Sequence, residues 1–294
     1  MTGQVRRKLL LAAAVISASA NPSGAMASTT AGLEPTGPWN VHYAAQSCML
    51  LRGYGDATKP DLLMMERFEP SDRFQLVLIS DQLRYYEQGS MLRLRYGDGE
   101  RIIVKGAMPG KADDGRASLT ISSTAIRPWP ESEEDEPERL SITPEQEAAA
   151  TSLTVSFRGR DVTFRTGPLD KAFAALRKCT DDLVRSWGLD PVQQSRLSAP
   201  AKPLSKPRSW ITSSAYPRSM ILLRKQGLVN FRLSVNETGT PTACQIQRSY
   251  SDEAFDKVTC ELLMRNARFS PALDESGKAV PSYFVSGVRF IIAT

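Results

Sequence analysis

The sequence lacks most of the side chains and motifs on which enzymes rely. His42 is the only histidine among 294 residues, so any Ser-His-Asp or Cys-His arrangement would have to use it. The motifs G-x-S-x-G, P-loop, G-x-G-x-x-G and H-E-x-x-H are absent. The acidic pairs Asp113-Asp114 and Asp181-Asp182 fall in a glycine-flanked turn and on a helix face, so neither indicates a glycosidase site. We therefore predict that the protein is not an enzyme and that it has no cofactor.

Long apolar runs are also missing beyond the first 20 residues. At the N-terminus, Arg6, Arg7 and Lys8 precede a short apolar stretch, and residues 25–27 (Ala-Met-Ala) offer a small-residue cleavage site. These are the three parts of a secretory signal peptide, so we predict that residues 1–27 are removed on export to the periplasm. The apolar run ends at Asn21, short of the roughly 20 residues that a spanning helix needs. The alternative is an uncleaved inner-membrane anchor facing the periplasm.

An excess of charge of one sign is missing as well. Without the three basic residues of the N-terminal segment, the chain carries 34 Lys and Arg against 32 Asp and Glu. That net charge is too small to indicate a nucleic acid or an anionic membrane surface as the partner. The acidic run at residues 131–138 contains a proline and is predicted to be a solvated loop.

Cysteine is scarce but even in number. In an oxidising compartment four cysteines indicate disulfides, and three pairings are possible. Cys48 and Cys179 fall in one predicted domain and Cys244 and Cys260 in the other, so pairing within each domain is the simplest choice. A zinc site would need a spacing such as C-x-x-C, which is absent, so no metal site is predicted.

Residues 37–188 have the pattern of a mostly antiparallel β domain closed by one helix. Short segments rich in β-branched, aromatic and leucine residues alternate with glycine-containing turns, which favours a sheet or a small barrel. The predicted strands are 39–43, 48–54, 62–68, 74–80, 91–96, 101–105, 119–126, 153–157 and 162–165. A helix is predicted after Pro168, because apolar residues recur there at three- and four-residue spacing up to Gly188. We recognise no family in this region, and its role is open.

Residues 189–210 are predicted to be a linker. Four prolines with serine, glutamine and lysine between them are typical of a semi-extended segment. The remaining residues, 211–294, predict an α+β unit in the order helix, strand, strand, helix, strand. Residues 229, 231, 233 and 235 are apolar and alternate with other side chains, as in a half-buried strand.

The order and spacing of residues in 211–294 resemble the C-terminal domain of TonB. A Tyr-Pro pair precedes the first helix, G-x-V-x-F-x-L-x-V forms the first strand, and a glycine turn follows. The second helix ends in R-F-x-P-A, and a closing strand follows D-x-x-G-x-A-V. The positions that carry the resemblance are Tyr216, Pro217, Gly227, Gly239, Arg268, Phe269 and Pro271. Ser251 departs from the pattern, since the family usually has glycine before the second helix.

The resemblance implies a role in binding other envelope proteins. TonB couples inner-membrane energy to outer-membrane transporters and holds an extended transporter segment as an added strand beside its own last strand, a mode in which main-chain hydrogen bonds provide affinity. The matching edge in this chain is formed by Tyr283, Phe284, Val285, Ser286, Gly287, Val288, Arg289, Phe290 and Ile291. The partner implied is an outer-membrane TonB-dependent transporter or another envelope protein.

This chain differs from an energy transducer in two respects. Its N-terminal segment is predicted to be cleaved, and a folded domain replaces the long proline-rich spacer. We therefore predict a periplasmic binding protein that cannot transmit force by itself. Two alternatives stay open: a complete energy transducer with an uncleaved anchor, and a structural module that packs on the β-rich domain or forms a homodimer.

Overall fold

The computed structural model describes residues 32–104, 106–129 and 142–292. The predicted signal peptide and the acidic run at 131–138 lie outside the described residues. The described residues from 32 onward belong to one compact unit. For clarity, residues 37–188 are called the β-rich region and residues 211–294 the C-terminal domain.

The described residues of the β-rich region form ten strands, most of which are half-buried because apolar side chains alternate along them. In the segment Leu92–Tyr96, for example, the three apolar side chains are buried and the two arginines are exposed. All nine predicted strands are present, and each begins and ends within two residues of its expected ends. The strands are β1 (Asn40–Tyr43), β2 (Cys48–Tyr54), β3 (Asp61–Arg67), β4 (Phe74–Ile79), β5 (Leu92–Tyr96), β6 (Ile102–Val104), β7 (Met108–Lys111), β8 (Ala117–Thr124), β9 (Leu153–Phe157) and β10 (Arg160–Phe164).

These strands form two antiparallel sheets. One has the order β1-β2-β3-β4-β8-β7 and the other the order β10-β9-β5-β6. In the sequence, helix α1 (Pro144–Ala149) lies between β8 and β9, and the longer helix α2 (Asp170–Ser186) follows β10. The buried face of α2, which includes Phe173 and Leu176, packs into the same core as both sheets. The predicted closing helix is thus α2, and α1 is an additional short helix.

The segment predicted as a linker is folded onto the C-terminal domain. Helix α3 (Pro191–Ser195) is capped by the Asp190 side chain. Strand β11 (Lys202–Pro203) pairs with β14 (Phe269–Ser270), and Trp210 is only 2% exposed. The prolines do not leave this segment extended through solvent, because its apolar side chains join the core of the C-terminal domain.

The C-terminal domain has the predicted α+β order with three short strands added. Its elements are α4 (Arg218–Leu222), β12 (Gly227–Val235), β13 (Pro241–Ser249), α5 (Glu253–Asn266), β14, β15 (Ala272–Leu273), β16 (Ala279–Val280) and β17 (Ser282–Phe290). The main sheet has the order β13-β12-β17. One face of this sheet packs on α5, where Phe231 and Leu233 meet Leu263. The other face packs on the β-rich region, so β12 is buried on both sides between Gly227 and Phe231.

Candidate functional site

Strand β17 lies at one edge of the C-terminal sheet. It pairs antiparallel with β12 without a register shift, from Gly227 opposite Phe290 to Val235 opposite Ser282. Within residues 32–104, 106–129 and 142–292, no second strand pairs with β17. Its outer edge is therefore where a further strand can join this sheet. Of the nine residues predicted for this edge, all but Ile291 belong to β17. Ile291 follows the end of the strand.

Alternate residues of β17 face opposite sides of the sheet. Phe284 and Val288 lie opposite Leu233 and Val229 and contribute to the cores beneath α5. The odd-numbered residues of β17, from Tyr283 to Arg289, face the β-rich region. There the Tyr283 ring packs on Trp187 with 4.8 Å between ring centroids.

A groove runs between β17 and the β-rich region. It consists of two neighbouring cavities of about 280 and about 680 Å³, and Val285, Glu69 and Ser71 line both. Residues of β17, together with Leu228 and Asn230 of β12, form one wall. The loop between β3 and β4 and helices α2 and α3 form the opposite wall. We call this space the β17 groove.

A buried arginine lies at the groove. Arg67 is 1% exposed, and its guanidinium carbon lies 4.8 Å from the centroid of the Phe173 ring, a cation–π contact. Burial lowers the pKa of Arg67 to about 10, partly opposed by the charge of Asp72. The side chain therefore stays protonated at neutral pH. Because Glu69, Asp72 and Asp181 also line the groove, it combines both signs of charge and suits a polar chain better than a ligand of one charge.

The contact between the two regions is centred on a buried carboxylate. Glu66 of β3 is 1% exposed, and its Oε1 accepts hydrogen bonds from Arg248 Nη2 at 2.6 Å and from Ser47 Oγ at 2.6 Å. Its Oε2 accepts one from the Tyr250 hydroxyl at 3.4 Å. Burial raises the pKa of Tyr250 to about 12, and the Glu66 carboxylate adds to this effect. An ion pair with several hydrogen bonds thus joins β3 to β13.

Three amides extend this network. Gln75 and Asn230 are 1% and 4% exposed, and Asn230 Nδ2 donates to Gln75 Oε1 at 3.0 Å. Gln247 Nε2 donates to the backbone oxygens of Gln46 at 3.1 Å and Phe68 at 2.8 Å. Each of these three amides makes at least one hydrogen bond across the contact, although Gln247 Oε1 is buried without a partner among the described residues.

Sequence reasoning did not find this network. Arg232 of β12 belongs to the same face, with its guanidinium carbon 4.6 Å from the centroid of the Trp187 ring. The only signal is that Asn230 and Arg232 alternate with apolar residues in β12, a pattern that predicts a half-buried strand and does not show what its polar face contacts. The partners of Asn230 and Arg232 lie 155 and 45 residues away in sequence, and no local pattern identifies them.

The residues that carry the family resemblance have structural positions in the C-terminal domain. The Tyr216 ring packs edge-on against Phe255 and Phe290, and Pro217 precedes α4. Gly227 begins β12, where a Cβ would lie 2.7 Å from that of Ser251. Serine in place of the usual glycine at position 251 therefore brings a side chain close to Gly227.

Gly239, Phe269 and their neighbours hold the turn after β12. Gly239 has φ +77°, and a Cβ there would lie 1.9 Å from the Phe269 oxygen. Phe269 N donates to the Gly239 oxygen at 3.0 Å, and the Phe269 ring packs on Trp210. The Arg268 oxygen accepts from Leu204 N at 2.9 Å, and Pro271 lies beside the turn. These residues stabilise the fold of the C-terminal domain and do not line the β17 groove.

Both predicted disulfides are present. Cys48 of β2 is bonded to Cys179 of α2, and Cys244 of β13 to Cys260 of α5. The first holds α2, a wall of the groove, against the larger sheet. The second holds α5 against the C-terminal sheet.

His42 lies at an exposed position of β1 and pairs with Met49. In the part of the chain that the structure describes, no group of three or more His, Cys, Asp or Glu residues is placed to hold a metal ion. None of the described helices combines the length and apolar character needed to cross a bilayer.

Comparison with known protein families gives one match. Residues 212–292 match the family described as the C-terminal domain of the Gram-negative bacterial TonB protein. A search of curated proteins finds no match to the chain. The matched residues begin just before α4 and end after β17, so they contain the whole C-terminal sheet and its helices.

Proposed function

Because residues 212–292 form a TonB C-terminal domain, we propose that the protein is a periplasmic TonB-like binding protein that docks a segment of an outer-membrane transporter or another envelope protein. The segment is held by strand addition at the outer edge of β17. The observation that carries the proposal is the position of β17 at the edge of its sheet, where it pairs with β12 alone among the described strands and lines the β17 groove.

The composition of β17 supports pairing. The strand has nine residues, contains no proline, and has Arg289 as its one charged side chain. Prolines and charges are the usual means by which exposed edges avoid pairing. Main-chain hydrogen bonds along the strand would supply affinity, and alternate side chains would supply selectivity.

The β-rich region has a role in this proposal. A docked chain would lie between β17 and the loop that joins β3 to β4, so both parts of the protein would contact it. Glu69 and Ser71 of that loop line both cavities of the groove. The β-rich region would thus select partners by side chain, and the function would be binding without catalysis.

One observation favours a second candidate, a structural module. The C-terminal sheet already uses its face opposite α5 to bind the β-rich region through Glu66, Arg248 and Gln247. If this packing were the whole purpose of the domain, the groove would bind nothing and β17 would be protected from exchange in the free protein.

The third candidate, a complete energy transducer, depends on residues 1–27. The intact mass of the exported protein tests it, because a chain that still begins at Met1 would carry its own anchor and a chain that begins near Ser28 would not.

Strand addition is tested by amide chemical shifts and crosslinking. Peptides from transporter N-termini are titrated into the exported protein, and we expect shifts along residues 282–290 with little change along β13, the other edge of the same sheet.

A crosslinking experiment tests the same edge. The Ser286→Cys variant is mixed with peptides that carry one cysteine at successive positions, and strand pairing should give crosslinks at alternate peptide positions only. Ala243→Cys, an exposed residue on β13, is the control. Absence of shifts in β17, or equal crosslinking at both edges, would reject the proposal.

A further inference from the structure

The turn at the end of α4 exposes three consecutive apolar side chains. Ile221, Leu222 and Leu223 are 48%, 81% and 61% exposed, and we call them the apolar tip. A helix lying flat on a protein buries about every third or fourth residue. Here residues 221–226 are all exposed. The segment therefore protrudes from the domain surface, with Met220 as its buried anchor.

The residues around the apolar tip are basic. Arg218, Arg224 and Lys225 lie within four residues of it, and Lys225 Nζ pairs with Asp252 at 2.9 Å. Glu253 is the next acid on α5. The wider segment from 191 to 236 contains eight Lys and Arg and no Asp or Glu. The small net charge of the whole chain thus conceals a strongly basic segment.

The backbone at Arg224 is a second sign of function. Lys225 N donates to the Met220 oxygen at 2.9 Å and Arg224 N to the Ile221 oxygen at 3.0 Å, the hydrogen bonds of a Schellman helix end. In that motif Arg224 takes the left-handed position, with φ 50°, where glycine is usual because it avoids strain. A strained arginine on an exposed turn motivates a role for its guanidinium.

We propose that the apolar tip inserts into the headgroup region of an anionic lipid bilayer. Ile221, Leu222 and Leu223 would enter the boundary with the acyl chains while Arg218 and Arg224 bind lipid phosphates. A protruding apolar turn fits a deformable lipid surface without a preformed pocket, and its basic flanks match the negative charge. The site lies outside the β17 groove, so this inference does not depend on strand addition.

Vesicle binding by the exported protein tests the proposal. We expect the wild type to cosediment with phosphatidylglycerol-containing vesicles. Leu222→Glu should bind these vesicles at least about tenfold more weakly than the wild type, because burying a leucine contributes that much free energy or more. Ile103→Glu is the matched control, since Ile103 is a similarly exposed apolar residue, at 59%, in the β-rich region. It should bind as the wild type does. Equal loss in both variants, or equal wild-type binding to uncharged phosphatidylcholine vesicles, would overturn the proposal.

Arg224→Gly separates function from folding. Glycine fits the left-handed position better, so the midpoint of thermal unfolding should stay equal or rise, while binding to anionic vesicles weakens roughly fivefold. Wild-type affinity in this variant would contradict the role of the guanidinium.

A fluorescent residue at the tip locates the contact directly. With Leu222→Trp, brominated lipids should quench the added fluorescence, and with Ile103→Trp they should not. This readout is specific to position, so it decides the question even if another segment of the chain also binds lipid. An unquenched tryptophan at 222 would reject membrane insertion and leave a protein partner as the explanation for the exposed residues.

Discussion

Glu66 is the residue on which the contact between the two regions most depends. Its carboxylate is almost fully buried and is the ion-pair partner of Arg248, whose side chain is 32% exposed. Replacing it by alanine leaves the guanidinium without its carboxylate partner. We predict that Glu66→Ala lowers the free energy of unfolding by about 2–3 kcal/mol, somewhat less than breaking a fully buried pair costs.

Urea denaturation measures this loss, and an exposed ion pair provides the control. Glu34 and Arg165 lie at 2.8 Å with side chains 72% and 58% exposed, so Glu34→Ala should cost less than about 1 kcal/mol. Similar losses in the two variants would show that the Glu66 pair is not special.

Tyr250 gives the interface a dependence on alkaline pH. Burial raises its pKa in the folded protein to about 12, against roughly 10 in the unfolded chain. The stability that the neutral phenol contributes is therefore present below pH 10 and is lost as the pH rises from 10 to about 12. We predict a shallower fall in stability over this range for Tyr250→Phe than for the wild type.

Ionisation of Tyr85 has the opposite effect on stability at alkaline pH. A hydrogen bond from Arg84 lowers the pKa of this exposed tyrosine, so folding favours its phenolate and opposes the loss at high pH. Tyr85→Phe should therefore make the fall steeper. Urea denaturation between pH 9 and pH 12 measures both, and the same slope in both variants would contradict the assignment.

At the residue scale, the sequence identified the cysteines but not the interface. The disulfides were predictable because an oxidised cysteine pairs only with another cysteine, and four cysteines can pair in only three ways. Glu66, Gln75 and Gln247 were not predictable, because a polar residue in a strand has the same local pattern whether it faces water or a distant strand. Only the tertiary arrangement distinguishes the two cases.

At the scale of elements, the two disulfides should differ in strength. The Cys48–Cys179 bond closes a loop with a sequence separation of 131, and the Cys244–Cys260 bond one of 16. A disulfide that closes a longer loop removes more conformational entropy from the unfolded chain. Removing the first bond by double alanine substitution should therefore lower the free energy of unfolding by about 5 kcal/mol, and removing the second by about 3 kcal/mol.

Thermal or urea unfolding of the two double variants tests this order. Cys48 and Cys179 are both nearly fully buried, so a reduced wild-type sample provides a comparison without the change in side-chain volume. A larger loss from the short loop would contradict the chain-entropy explanation.

The elements themselves followed from the sequence where the pattern was local. Strands with alternating apolar residues and the long helix α2 were predicted near their observed ends. Strand β7 was missed because it contains Pro109 and Gly110, which disfavour strands and are tolerated at the sheet edge. Helix α1 was missed because it has only six residues, although Thr143 and Gln146 form a capping box at its start.

At the scale of the molecule, the interface should couple the unfolding of the two regions. Asn230 and Gln247 lie on the C-terminal sheet and donate hydrogen bonds to the β-rich region. We predict a single cooperative transition for the wild type and two separate transitions for the Asn230→Ala, Gln247→Ala variant. Tryptophan fluorescence and far-UV circular dichroism followed in the same urea series measure this.

A control variant removes the same number of side-chain amides without changing the interface. Asn236 and Gln245 belong to the C-terminal domain and make hydrogen bonds within it, so their replacement by alanine should keep one transition. Two transitions in the wild type would show that the contact is too weak to join the regions.

The long disulfide also bears on the order in which the protein oxidises. In a chain that crosses the inner membrane with its amino end first, Cys48 emerges early and has no native partner until another 131 residues have followed. Cys179 arrives before Cys244 and Cys260, so the first two thiols to meet are the pair that belongs together. For a chain exported in this way, sequential emergence would favour correct oxidation without isomerisation, and the groove wall that contains α2 would be covalently fixed before β17 reached the same compartment.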